Sequence, residues 1–173
     1  MKLACAIPFV IFYFGVFGQD VFEAARTGNL NRLQELQRIN GDTLESVNSN
    51  GFTPLIIATY RNQEKCVSYL IKEGVNLDSN SPEGPALLGA CYKGNISIIS
   101  LLLEHGAEAN GCGTNGTTPL MFAVQRGELE IVKLLLDSGA IVSVHDKNGL
   151  TAIDFAKKLN LVEIVALLDS VKN

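Results

Sequence analysis

The sequence predicts an all-α repeat solenoid: about five helix-turn-helix units, stacked one on the next. Three observations predict it. An alanine recurs at positions 24, 58, 90, 123 and 156, with spacings of 34, 32, 33 and 33 residues. Around each alanine the apolar residues return at helical intervals. Glycines return at fixed offsets too, with Gly28, Gly94 and Gly127 four residues after an alanine and Gly74, Gly106 and Gly139 sixteen after one. A period in this range marks an array of supersecondary units, none of which can bury its apolar face alone.

Ahead of the repeats lies a hydrophobic leader. Met1-Lys2 is a short positive start, and Leu3 to Gly18 is a run of 16 residues without a charge. That is shorter than the roughly 20 apolar residues of a spanning helix. The run closes on Val16-Phe17-Gly18 before polar Gln19-Asp20, as a secretory signal peptide does. The expectation is a signal peptide over residues 1–18 cleaved after Gly18, with retention as an uncleaved anchor as the alternative. It predicts a periplasmic or secreted protein with no stable membrane insertion after cleavage. Loss of Lys2 would leave 13 basic against 18 acidic residues.

Within each unit the first helix centres on the alanine. Three residues before it stand Val21, Leu55, Leu87, Leu120 and Ile153. The second helix is carried by Leu33, Val67, Ile99, Val132 and Val165, nine after the alanine, and by Leu36, Leu70, Leu102, Leu135 and Leu168, twelve after it. The small alanine lets neighbouring helices approach closely. The glycine four residues on separates the two helices, and the glycine sixteen on suits a helix C-cap. Thr53-Pro54 and Thr118-Pro119 place a capping hydroxyl before a proline that the first turn tolerates.

Thr53-Pro54-Leu55, Thr118-Pro119-Leu120, Leu101-Leu102-Leu103-Glu104-His105-Gly106-Ala107 and Ile131 to Ala140 carry a family likeness: the chain resembles the ankyrin repeat. The resemblance covers a domain over 19–173 in five units, about 20–50, 51–83, 84–115, 116–148 and 149–173. Departures carry expectations of their own. The family's usual His after Thr-Pro-Leu is replaced by Ile56, Leu88, Met121 and Asp154, so stability should lean on packing. Pro85-Ala86 stands in place of Thr-Pro in the third unit, with Pro82 nearby, which predicts an irregular hairpin. Arg32 and Glu35 put a polar face on the first unit, as a capping repeat requires.

Composition excludes other classes. Hydrophobic residues make up 47% and charged residues 18%, with a net charge of −4. The first two figures exclude a disordered chain, and the acidic balance argues against nucleic acid as a partner. No catalytic constellation, metal cluster or cofactor motif emerges. His105 precedes Gly106, where it can meet the last carbonyls of a helix, and His145 sits beside Asp146 in a hairpin. Gly111 to Gly116 lacks the Gly-Lys-Ser/Thr ending of a phosphate loop. Cys66 and Cys91 occupy core positions, either as buried thiols or as a bridge, and Cys112 lies in a loop. Asn95-Ile96-Ser97 and Asn115-Gly116-Thr117 are glycosylation sequons.

The resemblance implies a non-catalytic protein-protein interaction module that uses hairpin tips and the exposed face of the first helices. In this register, positions two and three after the alanine face a concave groove: Arg26-Thr27, Tyr60-Arg61, Tyr92-Lys93, Gln125-Arg126 and Lys158-Leu159. Tyr and Arg are enriched at binding hot spots. The candidate protein-binding residues are Arg26, Phe52, Tyr60, Arg61, Tyr92, Lys93, Gln125 and Arg126, with Phe52 an exposed aromatic at a hairpin tip. The basic and aromatic ladder on an acidic chain predicts a partner protein with an acidic patch, bound by a chain that is monomeric alone. An inhibitor or immunity-type protein, or one that assists a periplasmic enzyme such as a catalase, is the alternative role.

Overall fold

Side-chain oxygens start five of the α-helices among the described residues. Thr53, Thr118 and Thr151 accept the backbone N–H of Ile56, Met121 and Asp154, and Asp154 returns a bond to the Thr151 N–H to complete a capping box. Asn29 and Asn95 do the same for Arg32 and Ile98 at the start of second helices. Each bond satisfies an amide that the first turn leaves without an intrahelical partner. Where Thr is missing, in the third unit, Pro85 stands at the N-cap and makes no side-chain bond. There Ser81 holds the preceding loop instead, donating its hydroxyl to the Gly84 carbonyl at 2.7 Å and accepting the Glu83 N–H at 3.3 Å.

The computed structural model describes residues 20–171. The predicted leader over 1–18 and its cleavage point lie outside the described residues. Helix α1 covers residues 20–27. It is followed by α2 (Leu30–Ile39), a 3-10 turn (Gly41–Glu45), α3 (Pro54–Tyr60), α4 (Glu64–Lys72), α5 (Ala86–Lys93), α6 (Ile96–Glu104), α7 (Pro119–Arg126), α8 (Leu129–Asp137), α9 (Ala152–Lys158) and α10 (Val162–Val171). No strand occurs among the described residues, and no helix among them is long and apolar enough to cross a membrane.

The first helices α3, α5, α7 and α9 pack neighbour to neighbour in one layer, and α2, α4, α6, α8 and α10 pack in the other. The first layer is the closer packed. The reason is the recurring alanine: Ala24, Ala58, Ala90, Ala123 and Ala156 are all at most 3% exposed, and a methyl group sets the separation. The apolar positions before and after it form the core, with one exception. Val165 is only half-buried, because its helix α10 has packing neighbours on one side alone among the described residues. Ile56, Leu88 and Met121, where the family's His would stand, are buried apolar side chains, so packing holds those positions.

The joints between units repeat a bond that the sequence disguises. Glu45 accepts the Asn76 N–H at 2.7 Å, Asp78 the Glu108 N–H at 2.8 Å, and Asn110 the Ile141 N–H at 2.8 Å. The three residues differ in type, but each offers a side-chain oxygen to the backbone N–H eighteen residues after the next repeat alanine. Turns between helices show a similar exchange. Gly94 and Gly127 end α5 and α7 with φ of 70°, while in units without that glycine Asn62 and Asn160 take the left-handed turn with φ of 56°. Asn tolerates this region better than other side chains. At the outer face of the first unit, Arg32 pairs with Asp20 at 2.5 Å and Glu35 at 2.7 Å, the polar surface expected of a terminal repeat.

Candidate protein-binding groove

The first helices and the hairpin loops enclose two adjoining clefts that share Tyr60 and Glu83. One, of about 460 Å³, lies over the first units and takes in Arg26, Asn50, Phe52, Arg61 and Lys93. The other, of about 480 Å³, lies over the middle units and takes in Leu88, Tyr92 and Phe122 from helices, with Pro82, Thr114 and Asn115 from loops.

An aromatic ladder runs along the floor. The ring centres of Tyr60 and Tyr92 are 6.3 Å apart, and those of Tyr92 and Phe122 are 5.5 Å apart in an edge-on contact. These are distances at which aromatic pairs attract beyond their buried area. Each ring comes from a different first helix. The Lys93 ammonium lies 5.9 Å from the Tyr60 ring centre and 5.6 Å from that of Tyr92, within cation–π range of both. Gly89 makes room for this arrangement: a Cβ there would stand 2.7 Å from Cε2 of Tyr60. Burial raises the pKa of the Tyr60 hydroxyl above its ordinary value, and a hydrogen bond and negative charge from Glu83 raise it further.

The cations of the expected ladder differ in their partners. Arg26 pairs with Glu23 at 2.6 Å on its own helix. Arg126 pairs with Glu128 at 2.7 Å and donates to the Tyr92 carbonyl at 3.3 Å. That pair packs on Gly94, where a Cβ would meet both side chains at 2.6 Å, so Arg126 is a clasp between units. An acidic residue close in sequence offsets each of these arginines, leaving Arg61 and Lys93 as the groove cations without an ion pair among the described residues. Gln125 is exposed but lines neither cleft. Phe52, expected as an exposed tip, is half-buried against the core, and its N–H bonds to the Asn48 side chain at 3.0 Å. It forms cleft wall. Glu83, Leu88 and Phe122 were not among the residues expected to bind. Phe122 sits one residue before its alanine, a position held elsewhere by Ile57, Gly89 and Phe155, so no repeat pattern marks it.

The remaining candidates have structural places. His105 Nδ1 lies 2.9 Å from the Leu101 carbonyl at the end of α6. Cys66 and Cys91 are buried free thiols, not a bridge, and Cys112 is exposed. Burial raises the pKa of the Cys66 thiol; for Cys91, burial and then the Glu128 charge raise it. Of the two sequons, Asn95 spends its side chain on the α6 cap and on a bond to Asn62 at 3.3 Å, whereas Asn115 is exposed at a loop. Among the described residues no group of three or more His, Cys, Asp or Glu side chains is placed to hold a metal ion.

A family model described as ankyrin repeats (3 copies) matches residues 21–111 and 87–172. The chain belongs to the ankyrin repeat family. Ankyrin repeats are protein-protein interaction modules, generally without catalysis of their own. Similar curated proteins carry the same repeats. Ankyrin repeat and SAM domain-containing protein 6 of Rattus norvegicus is 32% identical over 101 residues, which is 57% of this chain and 11% of that protein. Ankyrin repeat and SOCS box protein 16 of Homo sapiens is 42% identical over 67 residues, 39% of this chain and 15% of that protein. Ankyrin repeat protein nuc-2 of Neurospora crassa is 32% identical over 87 residues, 49% of this chain and 8% of that protein. The ankyrin array thus spans a small part of the length of the relatives it matches.

Proposed function

We propose that this chain is a non-catalytic binding module that acts outside the cytoplasm, gripping an acidic patch of a partner protein with its groove and hairpin tips. The observation that carries this is the ladder Tyr60–Tyr92–Phe122, one ring from each of three successive first helices, flanked by Arg61 and Lys93, which have no ion pair among the described residues. Tyr92 is 51% exposed. Large aromatic side chains left partly open beside cations are the composition of an interface centre. Two of the four expected cations are spent inside the chain, which narrows the acidic contact to the cleft over the first units. Export rests on the leader, and the alternative inhibitory or enzyme-assisting roles would use the same groove.

Photo-crosslinking in the native host tests the reading. A photoreactive phenylalanine analogue at Tyr92 is expected to trap a partner protein, while the same analogue at exposed Lys133 on α8 is expected to trap none. Equal yields at the two sites, or no adduct at Tyr92, would remove the groove as the binding surface.

A further inference from the structure

We infer that the groove recognises an extended peptide segment of its partner, carrying an Asp or Glu and, about three residues away, an aromatic or large aliphatic side chain. This rests on the reading of the groove as the interaction surface. The two clefts differ in chemistry on either side of Tyr60 and Glu83. In the cleft over the first units, Arg61 and Lys93 stand against the single carboxylate of Glu83, since Arg26 is already matched by Glu23. Contact with two tyrosine rings positions the Lys93 ammonium without cancelling its charge. That cleft suits a carboxylate. The neighbouring cleft is walled by Leu88, Tyr92, Phe122 and Pro82 and includes no cation. It suits a ring or a branched aliphatic chain.

The spacing follows from the stacking. Neighbouring helices pack at about 10 Å, and an extended chain advances about 3.3 Å per residue, so adjacent clefts are about three residues apart along such a segment. The loop wall favours an extended occupant over a helical one. Asn50, Thr114, Asn115 and Thr117 line it, offering uncharged donors and acceptors to a backbone whose own N–H and C=O groups have no internal partners. A helix would leave that wall unused, because its backbone is already bonded to itself.

Isotope-labelled protein titrated with short blocked peptides in NMR provides the test. Proline holds a peptide extended at about 3.1 Å per residue, so the probes are Asp-Pro-Pro-Phe, its reversed order Phe-Pro-Pro-Asp, and the controls Lys-Pro-Pro-Phe and Asp-Pro-Pro-Ser. One of the two orders is expected to shift resonances of the second to fourth units and to bind at least about fivefold more tightly than either control, the factor that about 1 kcal/mol represents. Lys93→Glu should remove the preference for Asp over Lys and retain that for Phe over Ser. Tyr92→Ala should do the reverse. Both residues are exposed, and resonance dispersion reports whether each variant remains folded. Equal binding of the Asp and Lys probes, or no shift with either order, overturns the inference. A photo-adduct at Tyr92 together with either of those results would leave the groove as a binding surface and reject this ligand. Absence of the adduct would reject the groove itself.

Discussion

Gly89 trades helix stability for packing room. A glycine inside a helix costs about 1 kcal/mol relative to alanine, and α5 carries one where neighbouring units have Ile57 and Phe122. The Tyr60 ring occupies the space that a Cβ would need, so helix propensity is sacrificed to the aromatic floor. The cysteines separate by burial in the same way. Cys112 is expected to react with a thiol reagent in the native protein, while Cys66 and Cys91 react only on unfolding, because burial excludes the reagent and disfavours the thiolate. Mass mapping of alkylated peptides with and without denaturant checks this; rapid native labelling of Cys91 would contradict its place in the core. Tyr60, Tyr92, Arg61 and Lys93 were legible as groove residues because they stand two or three residues after a repeat alanine. Phe122 and Glu83 were not, since each stands at a position whose residue type changes from unit to unit.

Elements are held by two kinds of interaction with different consequences. Leu102 and Leu135 are fully buried on second helices, so Leu102→Ala and Leu135→Ala are each expected to cost about 2–5 kcal/mol in urea melts. Arg32→Ala removes ion pairs at the surface of the first unit, where solvent screening leaves little net gain, and its effect should be well below either truncation. Comparable losses at all three sites would place the register wrongly. The joints are the second kind. Asn110 accepts the Ile141 N–H and donates to the Gly139 carbonyl at 3.1 Å, so Asn110→Ala is expected to cost about 1–2 kcal/mol. An unchanged denaturation midpoint in that variant would show that water replaces both bonds at the joint without loss.

For the whole molecule, contacts run from each unit to the next, so stability is a sum of unit terms and nearest-neighbour interfaces. The pairs between first helices and between second helices express this directly. The half-buried Val165 marks where that sum ends among the described residues. Expression in a host with a secretory pathway is expected to release a chain whose intact mass begins at Gln19. A membrane-bound product retaining Met1 would instead identify the leader as an anchor.

The repeat period, the helix pairs, the core positions and the family were determined by the sequence alone, because burial against an identical neighbour imposes the same residue size at the same offset in every unit. The alanines and the leucines twelve residues on record that constraint directly. Which groove cations stay unpaired was decided only by the tertiary structure. Arg126 shares the offset of Arg61 and Lys93 and Arg26 stands one position earlier, yet Glu23 and Glu128 take up Arg26 and Arg126 through side-chain geometry that no offset encodes. The joint bonds of Glu45, Asp78 and Asn110 stayed hidden for a related reason: three different residue types supply one oxygen acceptor, and only packing shows that they occupy the same place. The aromatic floor likewise needed three dimensions, because a missing side chain at Gly89 and a ring from the next unit, Phe122, complete a surface whose parts lie at different positions of the repeat.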